Sequence, residues 1–221
     1  GSSDGPRAVA IQADGKIVVA GTSNDGDDNQ CCFALARYNI DGSLDTTFGS
    51  GGRVITGSWG ASGGASDIVI QPDGKIVAAG YSNEFNYPNG GFAVYRYNTD
   101  GSLDTSFDGD GRVITPIGSN SAFAKTVRIQ PDGKIVVAGS TWDYESRPFI
   151  VVRYNPNGSL DSTFDGDGVV TTLTSQYGGV DSSVIQPDGK IIVAGLSQLG
   201  AYDDFAVVRL NTDGTLDTSF G

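Results

Sequence analysis

"RIQPDGKIVVAG", residues 128–139, recurs with small changes as "AIQADGKIVVAG" from Ala10, "VIQPDGKIVAAG" from Val69 and "VIQPDGKIIVAG" from Val184. Its glutamines stand at 12, 71, 130 and 186, a spacing of 59, 59 and 56 residues. A fixed period of that size marks a repeat architecture. Within each copy the stretch reads as two β-strands joined by a tight turn. In "PDGK" the proline presets φ and the glycine supplies φ > 0. After the lysine, every residue of "KIVVAG" is apolar or glycine, so this strand should be buried on both faces. A sandwich strand with one wet face would alternate apolar and polar residues. A sheet covered on both sides by neighbouring sheets is a propeller blade. The small Ala-Gly ending is expected to let the next blade approach closely.

The rest of the repeat follows in the second copy. "DIVIQ" (67–71) and "IVAAG" (76–80) are its first two strands, "FAVYRYN" (92–98) the third and "RVIT" (112–115) the fourth. No segment combines helical periodicity with capping signals. The expected fold is all-β: one β-propeller domain over 1–221, built from four mostly four-stranded antiparallel blades of about 58 residues. The repeats run over approximately 7–56, 66–115, 125–172 and 181–221. The last copy stops at "LDTSFG" (216–221), before a fourth strand, so "FAVVRLN" (205–211) is left as a sheet edge. Such an edge templates pairing with another chain. A monomeric four-blade ring with a short last blade is the expectation. The alternatives are further chain or a second chain over the edge at 205–211.

The chain has 221 residues, 14 of them basic and 26 acidic, for a formal net charge of -12. That balance repels phosphate backbones and anionic lipid, so neither nucleic acid nor a membrane surface is expected as partner. No apolar run approaches the ~20 residues of a membrane span. No signal peptide is legible, and the opening "GSSDG" has the look of an expression-tag remnant. There is no histidine, which removes the commonest general base and metal ligand.

"IQPDGKIVVAG" followed by "FxxxRYNxDGSLDTSFDGDGRVIT" resembles the delta-60 repeat of large bacterial extracellular proteins, and the resemblance covers nearly the whole chain. It implies a propeller-like fold and an extracellular or cell-surface setting. It brings no catalytic or binding residues with it. The first copy departs from the pattern at "FGSGG" (48–52), where the motif has "FDGDG".

Arg37, Arg96, Arg153 and Arg209 occupy one repeat position, and Asp45, Asp104, Asp161 and Asp217 another, eight residues later. Strand alternation puts each arginine on a face with apolar residues, Phe92 and Val94 beside Arg96 for example. A buried guanidinium needs a carboxylate, so a structural Arg–Asp pair in every blade is preferred to a ring of ligand-binding charges. The four glutamines are expected to bond backbone. Tyr38, Tyr97, Tyr154 and Leu210 point the other way and fill space between blades. "FDGDG" (107–111, 164–168) gathers acids on a tight turn of the kind calcium uses. Two ligands are too few, and "FGSGG" lacks both, so a solvated Asp-Gly turn is the reading and no metal is expected. "NGS" (157–159) matches a glycosylation acceptor, but Asp stands at that position in the other copies, which favours a turn residue.

What varies between copies is the connection after the second strand (22–32, 81–91, 140–148, 196–204) and after the fourth (57–66, 116–124, 173–180). Successive connections of an antiparallel sheet alternate between its ends, so both kinds emerge at one end. The constant "PDGK" and "DGS" turns lie at the other. Binding residues concentrate on loops held by a rigid scaffold. The variable end carries Trp59, Tyr81, Phe85, Tyr87, Phe123, Trp142, Tyr144, Tyr177 and Tyr202 among acids that include Asp143. Aromatic faces beside hydrogen-bonding groups suit sugar rings. They equally suit a protein partner. The candidate ligand-binding residues are Cys31, Cys32, Trp59, Tyr81, Tyr87, Trp142, Asp143, Tyr144, Tyr177 and Tyr202. Cys31 and Cys32 are the only cysteines, so any intramolecular bridge joins neighbours. Such a vicinal disulfide distorts its peptide, a kind of strain found mainly at functional sites. Two reduced thiols are the alternative.

Without histidine there is no Ser-His-Asp set, and a cysteine nucleophile lacks its usual base. Glycoside hydrolysis needs two carboxylates at a set separation, and nothing in the sequence pairs two loop acids. The expectation is a binder, not an enzyme, without cofactor: a lectin-like propeller of a bacterial surface or secreted protein. The alternative is a structural or oligomerisation module of a larger adhesin or fibre, contacting protein instead of glycan.

Overall fold

The structure, a computed structural model, describes residues 4–24, 31–57, 62–83, 90–118, 121–141, 147–172, 178–198 and 203–220. Among these residues every regular element is a β-strand. The chain divides into two compact units, Gly1–Pro116 and Ile117–Gly221, each holding two repeats.

In the first unit, β1 (Gly5–Ile11), β2 (Ile17–Asn24), β3 (Cys31–Tyr38) and β4 (Arg53–Thr56) form one antiparallel sheet in that order. β5 (Gly63–Ile70), β6 (Ile76–Ser82), β7 (Gly91–Tyr97) and β8 (Arg112–Thr115) form the next. In the second unit, β9 (Ala122–Ile129), β10 (Ile135–Thr141), β11 (Phe149–Tyr154) and β12 (Val169–Thr172) repeat the pattern. The last sheet has three strands: β13 (Gly178–Ile185), β14 (Ile191–Gln198) and β15 (Asp203–Leu210). Each sheet therefore matches one copy of the repeat, and the last lacks a fourth strand among the described residues.

The first strand of each copy starts earlier than its apolar pattern suggests. β5 begins at Gly63, where the sequence reads as loop to Ser66. Its early residues carry no apolar alternation, yet Gly63, Gly64 and Ala65 pair with Ser82, Tyr81 and Gly80. The register then shifts by one residue between Ala65 and Asp67. β1 and β13 bulge at the same place, between Pro6 and Ala8 and between Val180 and Ser182. The bulge explains the glycine of the Ala-Gly ending. A Cβ on Gly80 would lie 1.9 Å from the Gly64 carbonyl oxygen; on Gly21 and Gly195 it would lie 2.0 Å from the carbonyls of Gly5 and Gly179. The expectation that this glycine serves the next blade is corrected here. Its closest neighbour is the bulged strand of its own sheet.

Within each unit the two sheets stack face on face. The later sheet presents its first strand, so β5 packs on β1, β2 and β3, and β13 on β9, β10 and β11. The face a sheet turns to its successor is called here the trailing face, the opposite one the leading face. In the first unit Val18, Ala20, Phe33 and Leu35 of the trailing face share a core with Ala65, Ile68, Ala78 and Tyr95 of the next leading face. The rings of Phe33 and Tyr95 meet at 4.3 Å between centroids. In the second unit Val136, Ala138, Phe149 and Val151 meet Val180, Ile191, Val193 and Leu210. Full burial of each such aliphatic or aromatic side chain contributes about 1.5–3 kcal/mol.

Candidate functional site

The two ends of the sheets are built from different chemistry. At one end, β1–β2 type hairpins close through "DG" turns in which Asp14, Asp73, Asp132 and Asp188 accept the backbone N–H of the lysine two residues on. The turn after the third strand repeats the device: Asp41, Asp100 and Asp213 accept both the N–H and the hydroxyl of Ser43, Ser102 and Thr215. Those bonds hold the three carboxyls below their ordinary range. Asn157 makes the same pair of bonds with Ser159, as expected for a turn residue.

Beneath these turns sits a charge cluster repeated in all four sheets. Asp104 accepts from Arg96 Nε at 2.7 Å and Lys75 Nζ at 2.8 Å, both on one oxygen, while its other oxygen takes the Ser106 hydroxyl and N–H. Asp45, Asp161 and Asp217 do the same with Arg37 and Lys16, Arg153 and Lys134, Arg209 and Lys190. Each guanidinium also lies over a phenylalanine, Arg96 over Phe107 at 4.7 Å for example. The lysine hydrogen bond, then the neighbouring hydroxyl, holds Asp45 and Asp217 well below the usual carboxylate range. Burial pushes Asp104 and Asp161 up, but their hydrogen bonds from lysine and from Ser106 or Thr163 outweigh it, and both end well below that range. The expected Arg–Asp pair is present in every sheet. The lysine of "DGK", present in every copy, completes the cluster, although nothing in its local spacing points to a partner 27 to 29 residues away. The cluster also ties successive sheets of one unit: Arg37 Nη1 donates to the Thr99 carbonyl and Arg153 Nη1 to that of Thr212.

The expected bond from glutamine to backbone is seen at Gln130. Gln130 Nε2 reaches the Gly189 carbonyl at 3.5 Å, but the Oε1 atoms of Gln12, Gln71, Gln130 and Gln186 are buried without a hydrogen-bond partner. In "FDGDG", Asp108 and Asp165 take φ of 50° and 51°, where the first copy has Gly49 at 53°. The segment is a turn with left-handed backbone, and no group of three potential metal ligands occurs among the described residues.

The opposite end holds the variable connections. The described strand ends that flank these connections pair there: Asn24 with Cys31, Thr56 with Phe33, Ser82 with Gly91, Ser140 with Phe149 and Gln198 with Asp203. A family comparison fits this repeated frame: the "Domain of unknown function (DUF5122) beta-propeller" matches at 12–48, 71–107, 130–164 and 186–220. The chain belongs to the DUF5122 β-propeller family. Its four antiparallel sheets are the four blades of a β-propeller fold. Among solved structures it is similar to the family 43 glycoside hydrolase YxiA of Bacillus licheniformis, with TM-score 0.50, 16% identity and coverage of 93% of this chain and 56% of that one. It is similar to a family PL25 ulvan lyase, with TM-score 0.50, 12% identity and coverage of 93% and 55%. The endo-1,5-α-L-arabinanase of Thermotoga petrophila RKU-1 gives 0.49, 13%, 96% and 58%. At these identities the likeness is one of fold, and the chain spans little more than half of each of these structures. No curated protein matches it.

Of the candidate ligand-binding residues, two blade residues are described with their side chains. Cys32 is the second residue of β3, opposite Ser23, and is half-buried against Gly57, where a Cβ would meet its Sγ at 2.7 Å. Tyr81 lies in β6 opposite Gly64 and Phe92, half-buried, with its ring over Gly90, whose φ is 71°. Both sit at the variable end of the first unit, on different blades. Phe123, read as a loop residue, lies within β9 opposite Ser140. Cys31 is placed in β3 by its backbone alone. Trp59, Tyr87, Trp142, Asp143, Tyr144, Tyr177 and Tyr202 lie outside the described residues. No helix among the described residues is long and apolar enough to cross a membrane.

Proposed function

We propose that this propeller is a lectin-like module of a bacterial surface or secreted protein, one domain that binds glycan through its variable end and performs no catalysis. The observation that carries the reading is the division between the two ends. One is occupied in every blade by the same Asp turns and Arg–Asp–Lys cluster. The connecting sequences assigned to the other change from blade to blade and include both tryptophans of the chain. A scaffold spent on folding at one end leaves the other free to carry recognition. The YxiA hydrolase and the ulvan lyase, both named for work on sugar polymers, support the same class of ligand for this fold. The resemblance to the delta-60 repeat supports the extracellular setting. Cys31 and Cys32, bonded to each other under oxidising conditions, would add an apolar sulfur surface to that end.

A glycan array with the isolated chain tests the reading. Binding that falls at least tenfold in Trp59→Ala or Trp142→Ala, with no release of reducing sugar, is expected. Array-wide absence of binding, or glycan binding untouched by both substitutions, would overturn it. Intact mass with thiol titration checks the cysteines: a bridged monomer is expected after air oxidation, and two titratable thiols per monomer would refute it.

A further inference from the structure

Of the four turns that follow a third strand, three carry an aspartate and the third copy carries asparagine. Asp41, Asp100 and Asp213 accept the N–H of Ser43, Ser102 and Thr215 at 2.9–3.0 Å and the hydroxyl at 2.6–2.7 Å. Asn157 takes the same two bonds from Ser159, at 3.1 and 2.8 Å. A backbone N–H needs an acceptor, so Oδ1 is the atom that faces Ser159 and Nδ2 is turned away. Asn157 is exposed, and its Nδ2 makes no bond among the described residues. The next residue is Gly158, with φ of 96° and no side chain beside its nitrogen.

The two Ser159 donors have the placement of an oxyanion hole. Donors about 2.7–3.1 Å from an oxygen stabilise the negative charge that develops there when its carbon is attacked. The carbon here is Cγ of Asn157. The Gly158 nitrogen is the nucleophile that chain connectivity supplies, and its attack closes a five-membered ring. One bond of the turn opposes the attack. Gly158 N–H donates to the Asn155 carbonyl at 2.9 Å, and that bond has to open first.

We propose that Asn157 is a self-modification site, where a hydrolytic deamidation promoted by Ser159 converts it to aspartate. Base removes the Gly158 N–H proton, the nitrogen bonds to Asn157 Cγ, and the Cγ–Nδ2 bond breaks. The proton returns to Nδ2, which leaves as ammonia. Water then opens the succinimide at the Cγ–nitrogen bond, which restores the original main chain and leaves a carboxyl group on residue 157. The sum is one water consumed and one ammonia released, with no oxidant or co-reactant. Opening at the other carbonyl gives isoaspartate, whose main chain is longer by one methylene. The turn has no place for it: Asn155 N–H reaches the Ser159 carbonyl at 2.8 Å, and Asn39, Asn98 and Asn211 close the same loop at the same distance. Aspartate keeps every bond of the turn, as the other three blades show. Their carboxyls are held below the ordinary range, so the product is ionised and this turn gains one negative charge.

Peptide mapping by mass spectrometry tests this on the full chain, incubated at mildly alkaline pH either folded or unfolded in urea. Mapping is needed because Asn89 and Gly90 form the other Asn-Gly pair of the chain. In the folded chain residue 157 should become acidic, with aspartate in excess of isoaspartate; in urea isoaspartate should take the larger share. Ser159→Ala removes one donor and should slow the folded reaction about tenfold, less than in a closed enzyme site because this one is open to water. Ser159→Thr, which supplies the hydroxyl that the last blade has at Thr215, should keep the wild-type rate. Rates are compared well below the melting temperature of each variant. Asn157→Asp should co-elute with the product on anion exchange and melt no lower than wild type. A folded chain in which Asn157 stays intact would overturn the proposal. So would an excess of isoaspartate in the folded chain, an unchanged rate in Ser159→Ala, or an early melt of Asn157→Asp.

Discussion

Asp104 holds two cations on one oxygen, and the consequence is asymmetric. Replacing it by asparagine leaves Arg96 buried and Lys75 unpaired, which should cost about 3 kcal/mol, the low end for a broken buried pair because the lysine reaches solvent. Lys75→Met removes the outer partner, 29% exposed, and should cost about 1 kcal/mol or less. Denaturant titration of both variants checks the order; equal losses would show that the arginine is not the anchored member. The same clusters set the response to acid. Asp45, Asp104, Asp161 and Asp217 all have carboxyls held below the range they regain on unfolding. Their contribution is complete above the unfolded value of about 3.9 and is lost as pH falls through and below it. Unfolding free energy should therefore decline between about pH 5 and pH 2, and less steeply in Asp104→Asn. An identical acid profile in the variant would remove that residue from the account.

At the scale of the element, the bulged first strand and the glycine opposite it form one device. The extra residue of β5 swings the Gly64 carbonyl over Gly80, where a side chain has no room. Gly80→Ala should destabilise by about 1–3 kcal/mol, the usual cost of overpacking, while Gly42→Ala meets nothing within 4 Å and is strained by its φ of 84° alone. Thermal melts of the two distinguish steric conflict from backbone preference. The bulge also shows why the early residues of β5 escape a reading by apolar alternation. "GGAS" pairs through its backbone, which every residue offers alike, and its side chains carry no pattern.

For the whole molecule, the period of the repeat and the four acid–arginine pairs are enough to read four blades and one fixed end. The exposure of Phe205 is not legible there, because it stands in the same motif position as Phe33, Phe92 and Phe149. Its exposure depends on what lies against it and not on which residue it is.

What the sequence by itself determined is whatever is local and repeated: strands, Asp-Gly turns, the Arg–Asp partnership and the end at which variation gathers. These follow from side-chain period, turn chemistry and the cost of burying a lone charge, all of which recur at fixed spacing. The tertiary structure decided the rest. It brought Lys75 onto the oxygen that Arg96 already held, 29 residues from Asp104 along the chain. It placed the Gly64 carbonyl against Gly80 and the Phe33 ring against Tyr95 of the next blade. Each of these is a contact between segments distant in sequence, and burial is a property of the contact, not of the residue type.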